Sequence, residues 1–325
     1  MTVLVPFSKG DDPLGPPRFA INTRECAAQA RHAYAGMAEV WAADAALAYG
    51  PLARHLVGRA GPDLRGCLAL DAGAGSGVAG DALRAAGARV VAVDLEVDMV
   101  RHGLAAGPAL AADVTALPFR DSCFDLAVAA FVVNHLEHPV AGLVELRRIT
   151  RPGGTVLVSV FSTARSAAKT AVDEVAGAYG YIAPDWYRQM QHHARTIGTV
   201  EAMTRALQAA GFTRFGVTDD PVDVGLRDPA LIVRYRTGMA QMRPFVAGLS
   251  PGRRRAFLAK AAEAVARTGG VLGSGSDRGG RAVAVWFGAR GSGVSPTHRV
   301  RARSARRSRA SRTSWSRPGL AERSW

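Results

Sequence analysis

The stretch Leu70-Asp71-Ala72-Gly73-Ala74-Gly75-Ser76-Gly77 sets three glycines at alternate positions behind an acid. Apolar residues from Cys67 to Leu70 predict a strand before it, and Val78 to Ala86 predicts a helix after it, stopped by Gly87. Glycines at such a junction let a ligand approach the backbone closely, while the free amides of the helix start point outward. This is the turn of a nucleotide-like cofactor site. Gly75 to Gly80 also spells G-x-G-x-x-G, and Asp94 follows the next predicted strand, Arg89 to Val93, where a ribose diol would lie. The glycines alone leave a nicotinamide dinucleotide and other nucleoside cofactors open.

The elements that must position these residues alternate. After Asp94, Met99 to Leu104 is predicted helical and Leu110 to Ala112 a short strand. Leu126 to Ala130 is a strand whose lack of alternation indicates burial on both faces. Pro139 opens a helix that ends with Arg147 and Arg148 near its C-terminus, and Thr155 to Phe161 is the next strand. Strand and helix in turn predict an α/β, doubly wound, mostly parallel sheet with helices on both faces. Two helices broken near Gly50-Pro51 are expected between Thr23 and Val57. A helical insertion is expected from about 163 to 197, then a helix Val200 to Ala210, a strand Phe212 to Val217, helices Pro229 to Val246 and Pro251 to Arg267, and a last strand Ala282 to Phe287.

Composition narrows the class further. With 48% hydrophobic and 21% charged residues over 325 positions, the chain can bury a large core, which excludes a disordered or collagen-like protein. The longest apolar run, Leu126 to Val133, is far short of the roughly 20 residues a bilayer-spanning helix needs. Cys26, Cys67 and Cys123 are odd in number and lack ligand spacing, so neither a disulfide framework nor a metal site is expected. No export signal is read at the N-terminus, and a cytoplasmic location is expected. The net charge of +14 is concentrated in residues 290–325, where ten arginines face one acid, Glu322. This Arg/Ser-rich tail, 289–325, is expected to be disordered, as is a leader, 1–17.

Five segments, LDAGAGSG, VVAVDLEVDMV, AADVTALPF, FDLAVAAFVVNHLEHP and ELRRITRPGGTVLVSVF, resemble in order and spacing the class I S-adenosylmethionine-dependent methyltransferases. Within these they are most similar to the type 11 group, which includes ubiquinone and menaquinone biosynthesis enzymes and natural-product tailoring enzymes. The resemblance is strong over about 66–162 and loose to about 288. It implies a seven-stranded sheet, a methyltransferase domain over 18–288, and a helical lid formed by about 163–197 and 229–267.

On this resemblance Asp71, Gly73, Gly75 and Gly77 hold the methionine part of S-adenosylmethionine, and Asp94 takes both ribose hydroxyls. Leu95 and Met99 pack on the adenine, Asp113 beside Val114 accepts from its amino group, and Ala129 lines the pocket. Trp41 falls on helices that close over the methionine end. Methyl transfer from a sulfonium needs alignment first, and a base only where the acceptor keeps its proton. His135, directly after the fourth strand, is the candidate base, with His192 and His193 in the insertion as substitutes. A small-molecule acceptor, a natural product or quinone-like ring, is expected. The alternatives are a cyclase or pericyclase that uses the cofactor without methyl transfer, and an RNA-modifying enzyme using the basic tail. Oligomeric state is not legible.

Overall fold

A computed structural model describes residue 29, residues 32–163 and 166–269, and the backbone of a strand at 281–288. The expected leader and the Arg/Ser-rich tail lie outside the described residues. The elements run in chain order as α1 (Ala46–Gly58), β1 (Leu68–Ala72), α2 (Val78–Ala85), β2 (Arg89–Asp94), α3 (Val97–Gly103), β3 (Ala109–Ala111), β4 (Phe124–Ala130), α4 (Pro139–Ile149) and β5 (Thr150–Phe161). There follow α5 (Ala167–Ala178), α6 (Asp185–Arg195), α7 (Val200–Ala209), β6 (Gly216–Pro221), α8 (Pro229–Thr237), α9 (Arg243–Gly248), α10 (Pro251–Arg267) and β7 (Arg281–Gly288). Among the described residues no helix is long and apolar enough to cross a membrane.

The sheet order is β3-β2-β1-β4-β5-β7-β6. The strands β1 to β5 are parallel, while β7 pairs antiparallel with both β5 and β6, so the parallel run stops at five strands. Alternate residues of the central strands feed opposite faces, because side chains on a strand repeat every two residues. Leu70, Ala127, Val156 and Val158 pack with Leu143 and Leu146 of α4 and Leu207 of α7. Ala69, Leu126, Val128 and Leu157 pack on the other face with Leu56 of α1 and Leu83 of α2. Burial of this kind stabilises by roughly 1.5–3 kcal/mol per large side chain, which explains why the stretches Cys67 to Leu70 and Leu126 to Ala130 read as continuous apolar runs.

Three local expectations need correction. The N-terminal helix is not broken at Gly50-Pro51: α1 runs through Pro51, because Ala48, Leu52, Ala53, Leu56 and Val57 are buried around it and outweigh the local cost of the ring. It is preceded instead by a π-helical segment, Trp41–Ala45. The strand expected at Phe212 to Val217 begins only at Gly216, since Phe212 turns back into the core beside α7. The helix expected from Pro229 to Val246 is split into α8 and α9. Gly238, at the end of α8, lies against Asp44, whose Oδ2 would be 2.7 Å from any Cβ added there.

This topology creates one switch point. The chain proceeds from β1 outward through β2 and β3, then returns to the other side of β1 with β4 and β5. Loops leaving the carboxyl ends of β1 and β4 therefore diverge over a crevice, the usual ligand position in open α/β sheets.

Candidate active site

The loop after β1 has a left-handed backbone at each alternate glycine, with φ of +68° at Gly73, +53° at Gly75 and +91° at Gly77. Only glycine takes these values without strain. Gly73 N and Ala74 N donate to Val93 O, which ties the loop to β2. Gly77 is the N-cap of α2.

Asp94, the last residue of β2, holds this loop from the other side. Its Oδ2 accepts from Gly75 N at 2.7 Å and its Oδ1 from Glu96 N at 2.9 Å. Burial raises its carboxyl above the ordinary value, and these backbone donors oppose the rise. Each oxygen keeps further acceptor capacity for a ligand.

A cavity of about 380 Å³ opens over the glycine loop. Of the residues expected at a cofactor site, Gly73, Gly75, Asp94, Leu95, Met99, Asp113, Val114 and His135 line it. Met99 and Val114 are buried, whereas Leu95 and Asp113 are exposed. Asp113 Oδ1 accepts from the backbone N and the hydroxyl of Thr115, which fixes the carboxylate.

Asp71, Gly77 and Ala129 do not line it. The Asp71 side chain is buried beneath α2, where Oδ2 accepts from Gly80 N at 2.7 Å, and burial pushes its carboxyl up to about 7. It faces an adjoining hollow of about 300 Å³ shared with Gly77, Asp81 and Arg84. Ala129 is fully buried inside β4, because that strand continues to Ala130; Ala130, Phe131 and Val132 reach the cavity instead.

His135 ends a 3-10 turn, Val133–His135, with its ring 6.0 Å from that of Tyr34. The residue is open to the cavity, yet it is deeply surrounded by protein, and that desolvation pushes its imidazole down to about 4. It is neutral at pH 7 and a weak proton acceptor. His192 and His193 sit on α6 outside the cavity lining.

The residues not expected from the sequence are mostly aromatic. Tyr34, Tyr49 and Phe131 line the cavity together with Trp41, whose indole Nε1 is 3.6 Å from the position a Cβ would take on Gly75. For Phe131 a signal existed, since it directly follows the strand at the switch point. Tyr34 and Tyr49 had only their nearness to Trp41 in the chain. The cavity wall contains Asp94, Glu96 and Asp113 but, among the described residues lining it, no lysine or arginine.

The chain is similar to known methyltransferases. A family model described as a methyltransferase domain, of type 11, matches residues 70–158. A demethylmenaquinone methyltransferase of Mycobacterium sp. (strain KMS) is 34% identical over 155 residues, covering 45% of this chain and 67% of the relative. The enzyme of the same name from Beutenbergia cavernae is 41% identical over 97 residues, 29% of this chain and 40% of the relative. A chain from Anabaena variabilis, described as a methyltransferase from an antibiotic biosynthesis pathway, shares the fold. Its TM-score is 0.50 at 16% identity, covering 68% of this chain and 90% of that one.

The chain belongs to the class I methyltransferases of type 11. Its activity is S-adenosylmethionine-dependent methyl transfer, with S-adenosylmethionine as cofactor.

Proposed function

We propose that the 380 Å³ cavity holds both the cofactor and a small-molecule acceptor, and that the acceptor is a ring compound, quinone-like or a related natural product. The observation that carries this is the junction of Gly75 and Asp94. A left-handed glycine amide fixes a carboxylate in a cavity that aromatic side chains also line, with no lysine or arginine among the described residues lining it.

The residues fit the group. Asp94 would accept from the two ribose hydroxyls, Leu95, Met99 and Val114 would hold the adenine, and Asp113 would accept from its amino group. Gly73 and Gly75 let the methionine part lie against the backbone. A wall with three carboxylates and, among the described residues, no lysine or arginine suits a positively charged sulfonium. When bound, S-adenosylmethionine supplies an electrophilic methyl group on that sulfonium.

The chain's own contribution is alignment and exclusion of water. Trp41 covers the glycine loop, and Tyr34, in the cavity wall, packs edge-on to Trp41, His135 and Trp186, so α6 backs the wall formed by the N-terminal segment. His135 accepts a hydrogen bond from the acceptor and orients it. With its imidazole near 4 it takes a full proton only from an acidic acceptor. The relatives named for demethylmenaquinone support the ring acceptor.

Native mass spectrometry of the purified chain, followed by incubation with candidate rings and S-adenosylmethionine, tests the reading. Formation of S-adenosylhomocysteine together with a product heavier by one methylene is expected. Turnover of a ring substrate with no S-adenosylhomocysteine would instead favour a cyclase.

A further inference from the structure

Phe131 has a left-handed backbone, φ +60°, although it is neither glycine nor a small polar residue. A bulky side chain rarely adopts this conformation, and it persists only where the surroundings impose it. Here they do. Phe131 N donates to Ser159 O at 2.8 Å, and its ring lies 4.5 Å from that of Phe161 and 5.2 Å from that of Tyr49. The residue is 5% exposed, and the surface it keeps faces the cavity. Tyr49 in turn meets Trp41 at 5.7 Å and Trp41 meets Tyr34 at 5.3 Å, so four aromatic rings form one continuous belt along the wall.

The charges around this belt are one-sided. The wall carries Asp94, Glu96 and Asp113. Two cations near the belt have partners of their own: the Arg236 guanidinium pairs bidentately with Asp173, and the Lys169 ammonium lies over the rings of Phe161 and Tyr235. An anionic acceptor entering here would lose its hydration beside carboxylates, with no lysine or arginine among the described residues that line the cavity to replace it. A planar uncharged ring would lose little and would gain edge and face contacts with the belt.

We infer that Phe131 and Tyr49 are specificity-determining residues of the methyl-transfer site, selecting uncharged planar rings and rejecting anionic ones. This rests on the methyl-transfer reading of the cavity. The kink at Phe131 serves both halves of that site, because it also directs Val132 onto Gly73 of the cofactor loop.

The test is calorimetry on the full chain saturated with S-adenosylhomocysteine, titrated with 1-naphthol, 1-hydroxy-2-naphthoate and ethanolamine at pH 7. The wild-type protein should bind 1-naphthol at least about tenfold more tightly than the carboxylated ring, with ethanolamine weaker still. Phe131→Leu and Tyr49→Leu should each weaken 1-naphthol by about fivefold or more, and Tyr49→Leu, which leaves the contact of Val132 with Gly73 in place, should keep S-adenosylhomocysteine affinity within about threefold. Phe131→Gly keeps the left-handed backbone without steric cost and replaces Phe131→Leu where that variant does not fold. Equal or tighter binding of the carboxylate overturns the inference. So does tighter binding of ethanolamine, no binding of 1-naphthol, or unchanged affinity in the variants. Failure of S-adenosylhomocysteine to bind the wild-type chain would instead remove the methyl-transfer reading itself.

Discussion

Gly73 and Val132 join the two loops of the crevice by direct contact. A Cβ added at Gly73 would lie 2.7 Å from Val132 Cγ1 and nearer still to Cγ2, at a φ of +68°. The cofactor loop after β1 and the acceptor-side loop after β4 are thus packed as one surface, and a change in either is felt by the other.

Gly73→Ala should therefore cost about 1–3 kcal/mol of stability and weaken S-adenosylmethionine binding by about tenfold or more, from the clash and the strained backbone together. Val132→Ala opens space for the new methyl group. The double variant should recover part of the loss, leaving a coupling of about 0.5 kcal/mol or more in a double-mutant cycle. Strict additivity, measured by calorimetry and urea unfolding, would show that the two loops are independent.

Asp94→Ala should weaken S-adenosylmethionine by about 1.5–3 kcal/mol, the size of charge-assisted hydrogen bonds to hydroxyls. It also frees Gly75 N and Glu96 N, which now donate to the carboxylate. Asp94→Asn keeps a carbonyl oxygen for only one of these donors and should fall between wild type and Asp94→Ala. Unchanged cofactor affinity in Asp94→Ala would take the ribose role from this residue.

Asp71 gives a pH signature of stability. Its carboxyl is raised from the ordinary value of 3.8 to about 7 by burial, so between these values the native state holds a proton that the unfolded chain has released. Stability contributed by the neutral form is complete below the unfolded value and declines as pH rises to about 7, by an amount on the order of 3–4 kcal/mol. Asp71→Asn removes the titration while retaining an acceptor for Gly80 N. Thermal unfolding should show the variant gaining on wild type between pH 5 and pH 8, and a constant difference across that range would contradict the raised carboxyl.

The parts legible in the sequence were those set by local chemistry. Three alternate glycines and an acid one strand later identify the cofactor loop, and apolar runs bounded by turns identify β1, β2 and β4. The aromatic belt was not legible, because it joins residues from distant segments: Tyr49 meets Phe131 only after the sheet has formed. A left-handed phenylalanine also runs against its own residue preference, so only tertiary contacts could specify it. Two expected residues lie off the cavity for local reasons: Asp71 Oδ2 accepts from Gly80 N under α2, and β4, which extends to Ala130, keeps Ala129 inside the sheet.

His135 separates proton transfer from orientation. Its imidazole, near 4, is neutral throughout pH 6–8, so a rate profile governed by it should be flat there and fall only as pH approaches 4 to 5. An unperturbed histidine base would instead place a break near 6.5. Abstraction of a proton from a phenol of pKa about 10 by so weak a base before methyl transfer is uphill by about six pH units, so orientation is the role left to it, and the acceptor's proton leaves to solvent once the bond to the methyl carbon has made it acidic. His135→Asn preserves a hydrogen-bond acceptor and should lower kcat by less than about tenfold, to the same extent for acidic and weakly acidic acceptors. His135→Ala should cost more than His135→Asn while leaving S-adenosylmethionine affinity within about threefold. A loss of about a hundredfold that shrinks as acceptors become more acidic would mean that His135 takes the proton after all, with bound acceptor lifting its imidazole back toward the ordinary range.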